Sequence, residues 1–280
     1  MTMVSVIIPT FNRARMVTRA ISSVLYQTTG DFEIIVVDDG SSDATPSVLK
    51  QFNERVISLT HPRNMGVSAA RNTGIRAASS PLIAFLDSDD YWLPKKLAVQ
   101  TAFFHQHPDA VACQTEEYWI RHGRRVNPRK RHRKPSGDIF EPSLRLCLVS
   151  PSAVLLKRSL IDEVGPFDET LPACEDYDLW LRISSKYPVH LIEEYLVVKV
   201  GGHGDQLSNS IMGLDRFRIR ALEKLILKGG LQKEQQEAAF EELSRKCRIY
   251  GHGCIKRGKK SEGEDYLGLP QKVRIILNQE

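Results

Sequence analysis

Short apolar runs, each stopped by a polar cluster, recur through the first third of the chain. Val4 to Ile8 (VSVII) is closed by Pro9, Glu33 to Val37 (EIIVV) by Asp38-Asp39-Gly40, and Leu82 to Leu86 by Asp87, with Val56 to Leu59 between the last two. The first two, without alternation, predict strands buried in a parallel sheet, and the other two read as a third and a fourth strand. The intervening segments change period. Ala14 to Gln27 carries Met16, Val17, Ala20, Ile21, Val24 and Leu25 at helical spacing, and Thr45 to Asn53 and Val67 to Ala78 read as further helices. Strands alternating with helices predict an α/β fold, a Rossmann-like, mostly parallel open sheet with helices on both faces.

Beyond Cys113 to Ile120 the pattern predicts a helix from about Leu144, an apolar run over Ala153 to Leu156, and a helix over Tyr177 to Ser184. From Ile211 to Leu227 and Lys233 to Ile255 it is wholly helical, split by Gly229-Gly230. We therefore expect one domain over residues 1–208, in two halves at 1–110 and 111–208, and a helical extension over 209–280.

Composition adds bounds. At 280 residues and 31.7 kDa, with 41% hydrophobic and 26% charged residues, the chain has ordinary globular make-up. Its five cysteines are odd in number and lack a C-x-x-C pair, so neither a disulfide framework nor a zinc site is expected. The start, MTMVSVIIPTF, has no basic lead-in, and no window nears the roughly 18 apolar residues of a membrane span. These features predict a cytoplasmic protein. The net charge of +5 is local: residues 121–135 (RHGRRVNPRKRHRKP) hold eight Lys or Arg and no acid, leaving 31 basic against 34 acidic residues elsewhere. That segment has the composition of an exposed loop.

In open α/β sheets ligands bind beyond the carboxyl ends of the strands. Three exits are marked here: Pro9-Thr10 with Asn12-Arg13, Asp38-Asp39, and Asp87-Ser88-Asp89. A D-x-D after a strand offers hard oxygen ligands to Mg²⁺ or Mn²⁺, which can bridge to a diphosphate. The bland alternative is that Asp87 or Asp89 caps the helix near Pro94. Neither G-x-G-x-x-G nor a P-loop follows any strand, so phosphates would need a metal instead. Arg71, in GVSAARNTG, either neutralises a phosphate or carboxylate or lies on a solvated helix face. In ACEDYDLWLRIS, Glu175 and Asp178 either complement a helix dipole or line a site. Asp176 could instead face the pocket as a general base.

VSVIIPTFNR, IIVVDDGSSDAT, NMGVSAARNTG, AFLDSDDYWLPKKL and CEDYDLWLRI, in this order and spacing, resemble a family 2 glycosyltransferase of the GT-A fold over about residues 3–200. The resemblance implies transfer of a sugar from a nucleotide-sugar, usually UDP-linked, with inversion at the anomeric carbon. It implies base contact by Asp39, a neighbouring loop at Pro9 and Thr10, and a nucleotide-side cation at Arg71. Residues 1–110 are then the nucleotide-binding half and 111–208 the acceptor half; Asp89 is the metal ligand, Asp87 lies nearer the ribose, Asp176 is the catalytic base, and Glu175 and Trp180 lie on the sugar and acceptor side. The loop GGHGDQLS (201–208) resembles one that follows the last core strand in such enzymes, and His203 there either completes a metal or diphosphate site or is a surface residue.

The resemblance implies a divalent metal cofactor, a nucleotide-sugar donor, and a carbohydrate or lipid-linked acceptor in polysaccharide or glycolipid synthesis. No nucleic acid is expected. A metal-dependent nucleotidyltransferase and a nucleic-acid or anionic-surface binder using residues 121–135 are the rival readings. The stripe Leu214, Phe217, Ala221, Leu222 and Leu225, beside Arg216, Arg218, Arg220 and Lys224, packs on its own domain or a partner subunit, or lies peripherally on the anionic inner face of a membrane.

Overall fold

The computed structural model describes residues 3–127, 129–204 and 211–279. The expected boundary at 208/209 and the end of the glycine loop lie outside them. Strands β1 (Val4–Thr10), β2 (Phe32–Asp38), β3 (Ile57–Thr60) and β4 (Leu82–Phe85) pair in parallel in the order β3-β2-β1-β4. Helices α1 (Ala14–Leu25), α2 (Thr45–Leu49) and α3 (Val67–Ala77) connect them. The predicted helix to Asn53 tightens into a 3₁₀ turn at Lys50–Phe52. Gly74 of α3 lets the helix lie against β1, since a Cβ there would come within 2.4 Å of Ile7 Cγ2.

The sheet continues with a mixed half. After the short β5 (Tyr91–Trp92) and helix α4 (Lys96–Gln106) come β6 (Ala112–Arg121), β7 (Arg124–Val126), α5 (Phe140–Arg145), β8 (Val154–Lys157), α6 (Arg158–Val164), α7 (Glu175–Ser184) and β9 (His190–Gly201). The full order is β3-β2-β1-β4-β8-β6-β9-β5, with β7 hydrogen-bonded to β6. β4 meets β8 antiparallel while β6 and β9 run parallel.

Two expectations change here. The helix expected to start near Leu144 instead spans Phe140–Arg145, because Pro142 falls in its first turn, where a missing N–H costs nothing. The basic segment is not one loop. His122 and Gly123, both at positive φ (49° and 73°), form the two-residue turn that such φ values favour, and Arg124–Val126 pairs back on Trp119–Arg121.

One sheet face packs on α1 and α4 through Val17, Ile21, Val24, Leu97 and Phe104; the other on α3, α6 and α7 through Ile75, Leu160, Ile161, Trp180 and Ile183. Helices α8 (Asp215–Lys228), α9 (Lys233–Lys256) and α10 (Lys260–Leu277) follow. Their apolar faces form a core with Phe140 and Leu144 of α5 and Tyr177 and Leu181 of α7. The stripe containing Ala221, Leu222 and Leu225 is buried in that core, and Phe217 in a neighbouring cluster, so these residues offer no face to a membrane.

Candidate active site

The exits of β1, β2 and β4 lie side by side and are laced together. Asn12, at positive φ (51°), accepts hydrogen bonds at Oδ1 from the amides of Ser42 (2.8 Å) and Asp43 (3.3 Å), and donates its own amide to Ser41 Oγ (2.8 Å). The Asp39 amide donates to the Thr10 carbonyl (2.9 Å). The buried Asp39 carboxylate accepts from the amides of Met65 and Gly66 (both 2.8 Å) and meets His61 Nδ1 at 2.7 Å. Asp39 thus fixes the loop leading into α3. Pro9 and Thr10, at the end of β1, and Ser88, after β4, are buried.

The acids after β4 each have a separate partner. Arg71 Nη2 donates to Asp87 Oδ1 (2.8 Å) while its Nη1 donates to Glu175 Oε1 (2.6 Å). Asp89 Oδ2 is flanked by Arg13 Nη1 (3.0 Å) and His203 Nε2 (3.1 Å). Asp90 accepts from Ser152 Oγ (2.6 Å) and from the Val200 amide (2.9 Å). Against the penalty of burial, the charges of Arg71 and Lys199 hold Asp87 below the ordinary carboxylate range. Burial, and then the neighbouring Asp87 charge, push Asp89 up despite Arg13 and His203; burial and Asp89 push Asp90 well up. Crowded acids are therefore tolerated by setting guanidinium groups against Asp87 and Asp89, and by a raised proton affinity at Asp89 and Asp90.

Helix α7 brings the second set. Cys174, immediately before it, is left-handed (φ 62°), and Asn12, His122 and Cys174 are the three non-glycine residues of positive φ among the described residues. All three border this region, as strained backbone often does at functional sites. Glu175 is buried against Arg71; burial raises its proton affinity, Arg71 opposes the rise, and the Asp176 charge adds to it. Asp176 is half-buried and accepts from the Tyr177 amide (2.7 Å). Between the two acidic sets stands Lys199 of β9, which donates to Ser150 Oγ (3.1 Å). Burial works against its charge, yet Glu117, Asp90, Asp87 and Asp176 together raise its proton affinity.

The structure brings together Arg13, Arg71, Asp87, Asp89, Glu175, Asp176 and His203, and rejects some alternatives. Arg71 is not on a solvated helix face. Neither Asp87 nor Asp89 caps α4, which begins at Lys96 without a side-chain cap. Asp178 pairs with Arg182 and Lys224, both at 2.8 Å. Trp180 is a correction: only 1% exposed, it is a core residue of the α7 face and presents no surface to an acceptor. Sequence reasoning missed Asp90, Ser152, His61 and Lys199. Asp90 carried a signal, being the third acid of DSDD.

The carboxylate oxygens of Asp87, Asp89 and Asp90 lie within 4.8 Å of one another. Such a donor set fits a hard divalent cation. Asp90 is already committed to Ser152 and Val200, so Asp87 and Asp89 are the residues that would hold one, with His203 adjacent.

The sequence profile of Glycosyl transferase family 2 matches residues 5–165. The chain belongs to this family. It is 34% identical over 185 residues to UDP-Glc:alpha-D-GlcNAc-diphosphoundecaprenol beta-1,3-glucosyltransferase WfgD of Escherichia coli, covering 65% of this chain and 69% of that protein. An uncharacterized glycosyltransferase of Rickettsia conorii is 33% identical over 222 residues, 78% of this chain; the chain spans 35% of that relative's length. Among solved structures, Staphylococcus aureus TarS 1–349 in complex with UDP-GlcNAc superposes with a TM-score of 0.79 at 19% identity, covering 97% of this chain and 81% of that one. The mannosyltransferase PcManGT of Pyrobaculum calidifontis, in complex with GDP-Man and Mn²⁺, gives 0.62 at 17% identity, covering 99% and 78%. These likenesses establish the GT-A fold. Among the described residues, no helix is long and apolar enough to cross a membrane.

Proposed function

We propose that this family member transfers a sugar from a nucleotide-sugar, first among them UDP-sugars, to an acceptor hydroxyl with inversion at the anomeric carbon. The observation that carries this reading is the Arg71 bridge: one guanidinium joins Asp87, in the acidic cluster, to Glu175, which adjoins Asp176. A cation-type site and a candidate base thereby belong to one constellation. Relatives that use UDP-Glc or bind UDP-GlcNAc support the donor class. A nucleotidyltransferase reading leaves Glu175 and Asp176 without a task.

In this reading Asp176 accepts the proton of the acceptor hydroxyl as its oxygen forms the new bond to the anomeric carbon, while the bond from that carbon to the nucleoside diphosphate breaks on the opposite face. Lys199 and Arg71 supply fixed positive charge beside the departing diphosphate. Asp39 and the Pro9, Thr10, Asn12 and Arg13 segment shape the nucleotide end. Asp87 and Asp89 would hold Mg²⁺ or Mn²⁺, which when bound adds Lewis-acid stabilisation of the leaving group.

The test is thermal unfolding with UDP, GDP, CMP or dTDP, each with Mn²⁺, Mg²⁺ or chelator. A ligand at about 100 times its dissociation constant adds roughly 2.7 kcal/mol. A metal-dependent rise with one nucleotide is expected and names the donor class; no rise with any of them overturns the reading.

A further inference from the structure

We propose that the β6–β7 hairpin and the segment following it form a docking surface for an anionic phospholipid bilayer, setting the mouth of the Asp89 site against the lipid. Every Lys and Arg from Arg121 to Arg133 is exposed, seven in all with no acid among them. None of the seven is paired with a carboxylate among the described residues.

This surface is built, not loose. Lys134 is buried and donates to the Thr115 carbonyl (2.8 Å) and to Glu117 Oε2 (3.0 Å), tying the end of the segment back to β6. Burial opposes the Glu117 charge, but Lys134 and Lys199 hold its proton affinity down, to about 2. Trp119 Nε1 donates to the other Glu117 oxygen (2.8 Å). Tyr118 stacks on the half-exposed Tyr195 with centroids 4.7 Å apart, and Arg125 lies 4.4 Å above Tyr118. The turn also reaches the site: the His122 amide donates to the Gly201 carbonyl, a Cβ on Gly202 would meet the His122 ring at 3.0 Å, and His203 follows on Asp89.

Charge and shape select the occupant. Three of the cations ride the β6–β7 hairpin and four the segment after it; that spread suits a broad anionic surface, and amphipathic Tyr and Trp rings beside cations suit a lipid interface. A single-stranded nucleic acid needs rings open to stacking, and these rings stack on one another or sit under arginines. Outside residues 121–135 acids outnumber bases, so no general attraction for polyanions is expected.

The test needs neither donor nor acceptor, so it stands apart from the transfer reading. The purified chain is sedimented with vesicles of phosphatidylcholine alone or mixed equally with phosphatidylglycerol, at low and at high salt. Binding is expected only with phosphatidylglycerol and is screened by salt. Each cation contributes about fivefold to partitioning, so reversing Arg124, Arg129 and Lys130 to Glu weakens it by more than about 100-fold, whereas reversing Lys50, Arg55 and Lys233 leaves it in place. Should the hairpin variant melt early, tryptophan emission of the unaltered chain reports the same contact, because Trp92 and Trp180 are buried and Trp119 is the partly exposed one. No binding to phosphatidylglycerol, or binding that the hairpin reversal does not weaken, overturns the proposal; so does tighter binding to generic RNA or DNA than to the vesicles.

Discussion

Arg71 and Glu175, 104 positions apart in the chain, meet at 2.6 Å with both side chains buried, and the same guanidinium holds Asp87. Removing Arg71 strands the buried Glu175 carboxylate and leaves the partly exposed Asp87 without its guanidinium. Arg71→Ala is expected to cost about 3–5 kcal/mol of unfolding free energy in denaturant titration. Arg71→Lys keeps the charge but loses the planar fork, so it recovers only part. The double variant Arg71→Met/Glu175→Gln tests the cause: if the loss comes from stranded charge, the pair costs less than Arg71→Ala alone.

Asp176 is expected to separate chemistry from binding. Asp176→Asn keeps the shape of α7 and its bond from the Tyr177 amide but cannot take a proton. With the donor found by thermal unfolding, turnover should fall by roughly 10²–10⁴, about 3–5 kcal/mol of barrier, with nucleotide affinity retained. Unchanged turnover would move the base elsewhere.

Ser152 links the acidic turn to the sheet. Its hydroxyl donates to Asp90 Oδ2 (2.6 Å) and accepts from the Asp87 amide (3.1 Å), and its carbonyl accepts from Trp92 Nε1 (2.7 Å). Ser152→Ala leaves Asp90 and the Asp87 amide short of a partner, at about 1–3 kcal/mol. Of the three acids, Asp89→Asn should abolish the metal-dependent part of nucleotide binding. Asp90→Asn should chiefly lower the melting temperature. Calorimetry of nucleotide with and without metal distinguishes them.

The parallel half of the sheet was legible because β1, β2 and β4 are nearly continuous apolar runs with polar exits; β3 (Ile57–Thr60), the largely exposed edge strand, has the weakest pattern of the four. Arg71, Asp87, Asp89, Glu175 and Asp176 were legible as residue types in motifs, though their pairing was not, since Arg71 and Glu175 are joined by tertiary folding alone. Lys199 was invisible: in EEYLVVKVGG it reads as one polar position of a strand, and the four acids that act on it come from the turn after β4, from β6 and from α7. Trp180 was misplaced because helical spacing says which residues share a face, not whether that face meets a ligand or a core. The hairpin in the basic segment did have a signal, His122-Gly123 between two strands. Charge density obscured it.

Lys96 gives a prediction whose sign depends on burial alone. It is fully buried without a carboxylate, donates to Gln100 Oε1 (2.6 Å), and its ammonium position lies 4.0 Å from the Trp92 ring centroid. Burial lowers its pKa from an ordinary 10.5 to about 7. Between those values the unfolded chain binds a proton that the folded chain does not, so stability rises with pH there, by at most about 1.4 kcal/mol per unit, and below 7 the penalty is constant. Buried Cys113 limits the usable range: burial raises its thiol from 9.0 to about 12, so above 9 the unfolded thiol ionises first and its falling contribution offsets the Lys96 rise. By denaturant titration the unaltered chain should therefore gain stability relative to Lys96→Met steadily from pH 7 to 9. A constant difference across that range would mean that Lys96 stays charged in the fold, held by Gln100 and the face of Trp92.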